Sequence, residues 1–233
     1  MNLLRAASTV SLFTLASRIT WLAREAIVAA AFGASGFMDA FQVAFRIPNL
    51  LRRLFAEGAF SQAFVPILAE TRAREGDEVT RRLIDAVATV LFWALLATCA
   101  VGIVASPVVV WLIASGLERF DDAVLMTRVM FPYIGFMSLV ALSAGILNTW
   151  KRFAVPAATP VLLNLAMIAA AWLLAPPLRE RGIEPIYALA AGVMIGGVLQ
   201  LALQLPSLAR IGMLPRFALD WKDEGVRTAS VMA

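Results

Sequence analysis

Four long windows of this chain contain no charged residue, and these windows limit the possible folds more than any other feature. They cover residues 86–114, 129–150, 153–178 and 185–209. A helix rises about 1.5 Å per residue and the hydrocarbon core of a bilayer is about 30 Å thick, so each window is long enough to cross it. We therefore predict four transmembrane helices from these windows.

The composition agrees with a membrane protein. Hydrophobic residues make up 61% of the chain and charged residues only 15%, and the mean hydropathy is +0.82. A soluble domain does not need so much apolar surface. The predicted fold class is therefore all-α, a polytopic membrane protein. Because the chain has no histidine, and its single cysteine, Cys99, lies within an apolar window, we predict no metal, no cofactor and no disulfide framework.

The first seventy residues are apolar but interrupted by charges. Arg5 followed by an apolar stretch and "TLAS" also fits a signal peptide, which is the competing interpretation. Hydrophobicity resumes after Arg24, however, and the "FGASG" of residues 32–36 predicts a tight turn before a second apolar segment. We therefore predict six spans, at about residues 6–32, 40–69, 84–114, 125–150, 155–178 and 185–208.

The loops predict the orientation. With a cytoplasmic N-terminus, nine basic residues fall on the cytoplasmic side of the six spans and four on the other side. This asymmetry obeys the positive-inside rule and favours a cytoplasmic N-terminus. The sequence pI of about 10.0 then reflects juxtamembrane cations, so we expect membrane lipids as partners and no nucleic acid. The connection at 71–82 is interpreted as a solvated loop.

Five arginines lie in the first two predicted spans, where a charge facing lipid costs roughly 2.5–3.5 kcal/mol. Only three carboxylates accompany them, which leaves an excess of two positive charges. Such an excess in a cavity requires an anionic ligand, and guanidinium groups suit phosphate oxygens. The arginines are Arg18, Arg24, Arg46, Arg52 and Arg53, and the carboxylates are Glu25, Asp39 and Glu57.

Helical spacing indicates how these charges are arranged. At about 100° per residue, Asp39, Arg46, Arg53 and Glu57 share one face of the second segment, and Arg18 shares a face with Glu25 rather than with Arg24. The alternative for Arg52 and Arg53 is that they extend to the membrane interface. Pro48 indicates either a kink within a helix or the start of one.

Other polar and small residues within the spans have structural interpretations. Gln200 and Gln204 are one turn apart, and we favour hydrogen bonds between helices over substrate contact. Gly192 and Gly196 form a small-xxx-small pair that predicts close helix packing.

Four segments carry a family resemblance. The chain resembles the MurJ (MviN) lipid II flippases, which belong to the multidrug/oligosaccharidyl-lipid/polysaccharide exporter superfamily. The most specific element is "PNLLRRLFAEGAFSQAFVP", residues 48–66. The segments read "SRITWLAREAIVAAAFGAS", "MDAFQVAFRIPNLLRRLFAEGAFSQAFVPILAE", "FPYIGFMSLVALSAGILNTWKRFAVPAATPVLLN" and "GGVLQLALQLPSLARIGML".

This resemblance implies a transporter rather than an enzyme. The implied activity is moving lipid II, the lipid-linked peptidoglycan precursor, across the bacterial inner membrane. A central cationic cavity would be lined by Arg18, Arg24 and Arg52. The residues that would support or gate it are Asp39, Arg53 and Glu57 from the resemblance and Glu25 and Arg46 from the charge argument.

Family members have two six-helix lobes and a terminal helix pair, whereas this sequence has room for one lobe. The resemblance therefore implies that residues 1–215 form an N-terminal six-helix transmembrane lobe and that residues 216–233 are a cytoplasmic linker to a C-terminal lobe that is absent here. Alternating access would need both lobes. The alternatives are an exporter of another anionic lipid-linked saccharide or a drug, and a membrane scaffold that does not transport. A polyprenyl-diphosphate phosphatase is disfavoured because no nucleophile or general base is clustered with the arginines.

Overall fold

The computed structural model describes residues 3–52 and 59–217, with side chains at 7–50 and 63–217. Within these residues the chain is helical and contains no strand, which confirms the all-α fold class. Helices satisfy their own backbone hydrogen bonds, as a lipid environment requires. The helices are α1 (Leu3–Phe32), α2 (Gly36–Arg52), α3 (Ala59–Ala114), α4 (Phe120–Met130), α5 (Tyr133–Thr149), α6 (Ala154–Leu173), α7 (Ala175–Glu180) and α8 (Tyr187–Arg210).

Four helical stretches among the described residues are long and apolar enough to cross a membrane. They are Ala63–Ala114, Phe120–Thr149, Ala154–Glu180 and Tyr187–Arg210, and each contains nearly all of one of the four charge-free windows. The chain is thus a polytopic membrane protein. α1 and α2 carry the interrupting charges and do not meet the same standard of length and apolarity, so the count of six spans stays a prediction.

The turn predicted at residues 32–36 is confirmed. α1 ends at Phe32 and α2 begins at Gly36. Gly33 has a φ of 61°, a left-handed conformation that glycine adopts without steric cost and that commonly ends a helix. The two charge-bearing helices are therefore joined by a short connection.

Pro48 lies inside α2, so the alternative that a helix begins at Pro48 is wrong. The first turns of α2 supply enough apolar contact to form the helix earlier, because Phe41, Ala44 and Ile47 are buried in the main core. The described part of α2 ends at Arg52, and α3 begins at Ala59.

The connection expected to be a loop at 71–82 is helical, which corrects that prediction. α3 runs through it in two arms that meet at Gly76, where φ is 84° and ψ is −180°. The polar residues of this region lie on exposed helix faces, where Glu70 pairs with Arg74 and Glu78 with Arg82 at four-residue spacing.

The helices pack around two apolar clusters. The larger cluster joins α2, α4, α5 and α8 and includes Phe41, Met130, Ile134 and Leu189. The smaller one lies between the start of α3 and the ends of α5 and α8, around Leu68 and Ile146. α6 packs against α8 on one side and α1 on the other, whereas α2 packs mainly on α4. This arrangement leaves α1 and α2 on opposite sides of an opening.

The close packing predicted for Gly192 and Gly196 is confirmed at the contact between α8 and α6. A Cβ atom added to Gly192 would lie 3.2 Å from the Cα of Met167, and one added to Gly196 would lie 3.2 Å from the Cα of Leu163. Both glycines therefore face backbone atoms of α6, which fixes the distance between the two helices.

Candidate functional site

A cavity of about 340 Å³ occupies the opening between α1 and α2. α1 and α2 form its walls, while α5, α6 and α8 form its floor. Two helices of the floor are packed closely together, because Gly192 and Gly196 of α8 face backbone atoms of α6. The lining residues are Ser17, Arg18, Trp21, Arg24, Phe45, Asn49, Tyr133, Met137, Pro160, Leu163, Asn164 and Gln200.

Arg24 is the buried cation of this site. Its residue surface is only 8% exposed, and its Nη2 donates to Oε1 of Glu25 at 2.5 Å. Its Nη1 lies 3.7 Å from the sulfur of Met167 on α6. A buried guanidinium needs such partners because removing a charge from water is expensive. Only one of its donors meets a carboxylate, so the group can also donate to an anion in the cavity.

A second cavity of about 190 Å³ adjoins the first at Arg24. Glu25, Gln42 and Arg46 line it, together with apolar residues of α2. Arg24 therefore lies on the boundary between the two spaces. Helical spacing places Glu25 on the same face of α1 as Arg18. Its ion pair is nevertheless with Arg24, because the long arginine side chain reaches around the helix to its sequence neighbour.

Arg18 lines the larger cavity and is exposed. Together the two cavities contain the described cations Arg18, Arg24 and Arg46 and one carboxylate, Glu25. Three positive charges against one negative charge leave an excess of two, which attracts anions at close range because low-dielectric walls weaken the screening.

Asp39 is separate from both cavities. It lies exposed in the first turn of α2, where a carboxylate interacts favourably with the helix N-terminus, and it forms no ion pair with another described residue. The backbone of Arg52 ends α2, but its side chain is outside the described residues, as are Arg53 and Glu57 entirely. Of the charged face predicted for the second segment, the structure therefore describes only the side chains of Asp39 and Arg46.

Asn164 connects α6, on the floor of the cavity, to α1, on its wall, by hydrogen bonds. Its Nδ2 donates to the backbone oxygen of Ser17 at 3.2 Å and to Oγ1 of Thr20 at 3.1 Å. Both acceptors lie on α1, one turn or less from Arg18. This side chain therefore ties α6 to the helix that carries the cavity arginines.

The predicted role of Gln200 and Gln204 in joining helices is confirmed. Both are buried, and both donate through Nε2 to Thr159 of α6, to its backbone oxygen and its hydroxyl respectively. In the described structure the Oε1 atoms of both glutamines are buried and accept no hydrogen bond. Gln200 also lines the cavity.

Sequence reasoning missed the aromatic part of the cavity. Trp21 lies three residues from both Arg18 and Arg24, so helical spacing could have placed it beside them. Its indole is about half exposed, at 51%. Tyr133, the first residue of α5, is almost completely buried on the floor at 1%, and no local sequence signal marks it as part of the site.

A family model described as "Lipid II flippase MurJ" matches residues 28–233. The chain is 57% identical over 224 residues to the lipid II flippase MurJ of Burkholderia cenocepacia, covering 94% of this chain and 43% of that protein. It is 43% identical over 236 residues to the probable lipid II flippase MurJ of Vibrio cholerae, covering 97% of this chain and 44% of that protein.

A solved structure of a lipid II flippase MurJ in an inward closed conformation has the same fold. The TM-score is 0.74 at 27% identity, over 95% of this chain and 46% of that one. The chain thus spans less than half the length of the relatives it matches.

Proposed function

The chain belongs to the MurJ family of lipid II flippases, and from this premise we propose that it forms one lobe of a flippase that binds the diphosphate headgroup of a lipid-linked saccharide. The observation that carries the proposal is Arg24, a buried arginine on the wall of a cavity that also contains Arg18 and has too few carboxylates to neutralise them. Guanidinium groups bind phosphate oxygens with paired, charge-assisted hydrogen bonds.

Lipid II is the substrate we propose, because the relatives that share most of this sequence are named for it. The headgroup would occupy the cavity between α1 and α2 while the prenyl chain stays in lipid. Arg18 and Arg24 would hold the diphosphate, together with Arg52. Glu25 would keep Arg24 in position, and Asp39, Arg46, Arg53 and Glu57 are proposed to support or gate the cavity.

Transport itself would need a second lobe. Alternating access moves one repeat against the other around a central site, and this sequence covers less than half of its full-length relatives. A headgroup can shift such a movement only if it binds the two states differently. We propose no enzymatic step, since in this mechanism the arginines only bind and release the headgroup.

The proposed location is the bacterial inner membrane with a cytoplasmic N-terminus. Its support is the clustering of basic residues at one end of the bundle, where Arg72 contacts Thr149 and the backbone of Arg216 contacts Asp85. This end would face the cytoplasm. The test is labelling of a single cysteine placed at 151 or 181, in a Cys99→Ala background, by a membrane-impermeant thiol reagent on intact cells. Labelling at 151 without labelling at 181 would contradict the orientation.

Binding is tested by native mass spectrometry of the purified chain with lipid II. We expect Arg24→Gln to weaken binding by about tenfold to a hundredfold, because a hydrogen bond to a charged group contributes about 1.5–3 kcal/mol. Arg74→Gln is the matched control, because Arg74 is exposed and pairs with Glu70 outside the cavity. Equal binding by Arg24→Gln and Arg74→Gln would refute the role of Arg24. Equal binding of lipid II and a different undecaprenyl-diphosphate saccharide would refute lipid II selectivity.

A further inference from the structure

A separate cavity of about 220 Å³ lies at the end of the bundle where α5 ends, α6 begins and α8 ends. Lys151, Arg152 and Arg210 line it with Ser207, and Phe153 and Val155 add apolar surface. No acidic residue is among its lining residues. In the part of the chain that the structure describes, none of the three cations forms an ion pair, so their charges are not neutralised by a side chain.

The turn that holds two of these cations is specifically shaped. Lys151 has a φ of 58°, its amide donates to Asn148, and the amide of Arg152 donates to the carbonyl of Leu147 at 2.8 Å. These two bonds form a Schellman motif, in which glycine is the usual residue at the left-handed position. A lysine there is strained, and it places a positive charge at the cavity.

Neighbouring groups locate this cavity at the membrane interface. Trp150 precedes the turn, and the guanidinium of Arg72 lies 4.1 Å from the centre of its ring. The same guanidinium donates to the backbone oxygen of Thr149 at 3.0 Å. Tryptophan and arginine commonly mark the depth at which lipid headgroups begin.

An exposed apolar track leads away from this cavity along α8. Leu203, Leu199 and Ile195 follow Ser207 at steps of four residues, and their exposed fractions are 37%, 43% and 45%. Each step turns about 40° around the helix and rises about 6 Å. The distance along the helix from Ser207 to Ile195 is therefore about 18 Å, of which the apolar residues from Leu203 to Ile195 span about 12 Å, close to half of a hydrocarbon core of about 30 Å. That is the dimension of one lipid leaflet.

We propose that this cavity binds an anionic phospholipid, with the phosphate between Lys151, Arg152 and Arg210 and an acyl chain along the apolar track of α8. The charge argues for an anion, and the adjoining track argues for a lipid rather than a free phosphate ion. Basic pockets between transmembrane helices at a cytoplasmic interface commonly bind such headgroups. This site is distinct from the cavity between α1 and α2, and it does not depend on the proposed flippase activity.

The test is native mass spectrometry of the purified chain mixed with equal amounts of phosphatidylglycerol and phosphatidylcholine. We expect the wild type to retain phosphatidylglycerol preferentially, and each cation removed from the cavity to weaken that binding about fivefold. The variant Lys151→Gly is especially informative, because glycine favours the left-handed turn and should preserve or improve folding while removing the charge.

Arg210→Gln and Arg82→Gln form a matched pair. Arg82 lies at the same end of the bundle but pairs with Glu78 at 2.7 Å outside the cavity. We expect Arg210→Gln and Lys151→Gly each to weaken phosphatidylglycerol binding about fivefold, while Arg82→Gln leaves it unchanged. Equal losses in all three variants would mean a general charge effect and would overturn the site. Displacement of bound phosphatidylglycerol by soluble glycerol phosphate at similar concentration would overturn the role of the apolar track.

Discussion

Gly192 tests whether the approach of α8 to α6 is as close as the structure indicates. A Cβ atom at this position would lie 2.8 Å from the Cβ of Ala170, 3.2 Å from the Cα of Met167 and 3.3 Å from the backbone oxygen of Ala166. Carbon atoms prefer separations of about 3.5–4.0 Å. Two of the three contacts involve backbone, so Gly192→Ala can be accommodated only if α6 and α8 separate by several tenths of an ångström.

The expected cost follows from overpacking, which typically destabilises by about 1–3 kcal/mol. Alanine is also a better helix former than glycine, by up to about 1 kcal/mol, so a control with the same chemical change is required. Gly135→Ala is that control, because its added Cβ would meet only the sulfur of Cys99, at an ordinary 3.6 Å. The difference between the two variants therefore reports the packing of α6 against α8.

The assay is thermal unfolding of both purified variants in the same detergent. One kcal/mol shifts Tm by about 2–4 °C in a chain of this size, so Gly192→Ala should melt between about 2 and 12 °C below Gly135→Ala. Adding Ala170→Gly to Gly192→Ala should recover part of the loss, since it removes the shortest contact but not those to backbone. If Gly192→Ala melted at or above Gly135→Ala, the close approach of these helices would be wrong.

Two further predictions concern α1 and α3. Asn164→Ala should destabilise the chain by about 0.6 kcal/mol and by no more than about 1.7 kcal/mol, the average and the maximum found for hydrogen bonds between membrane helices. In a double-mutant cycle Thr20→Ala should then cost less in the Asn164→Ala background than in wild type, and fully additive losses would contradict the hydrogen bond. Gly76→Ala should lower Tm although nothing lies within 4 Å of the added Cβ, because a φ of 84° is costly for alanine. The control Gly116→Ala also has open space but no positive φ, and it should leave Tm unchanged. Equal Tm values for these two variants would show that the backbone conformation at Gly76 is not costly for alanine.

The parts of the fold that the sequence predicts well are those set by composition and local periodicity. Long uncharged windows specify helices because lipid leaves the backbone no other partner. The small residues Gly192 and Gly196, at four-residue spacing, predicted a close contact between helices, which is the contact between α8 and α6. These signals are local, so they can be read without knowing which helix lies opposite.

The region around Gly76 shows where such reasoning failed. A run of charges was interpreted as a loop, yet exposed helices and loops have the same polar composition. The distinguishing signal was present, because Glu70 with Arg74 and Glu78 with Arg82 are spaced four residues apart, as on a helix surface. Charge density indicated exposure correctly, and only charge spacing indicated the conformation.

The candidate site was predicted in part. The excess of arginine over carboxylate pointed to an anion-binding cavity, and Arg18 and Arg24 do line one. The ion pair between Glu25 and Arg24 was not predicted, because a helical wheel represents Cα directions and not the reach of a long side chain. Tyr133 and Asn164 could not be assigned to the site from spacing, because they come from helices more than a hundred residues away in sequence.

α1 is the least embedded of the elements that line the cavity, and this affects how the site could change shape. Among its described side chains only Arg24 and Val28 are buried, and the helix packs chiefly on α6. Its polar contacts with α6 include the hydrogen bonds from Asn164 and the contact of Arg24 with the sulfur of Met167. The backbones of α6 and α8 approach each other closely at Gly192 and Gly196, so we expect a change in the shape of the cavity to come from a shift of α1 relative to α6 rather than from a separation of α6 and α8. Such a shift would move Arg18 and Arg24 together while leaving the floor in place, so the cations and the floor can change their separation without unpacking the core.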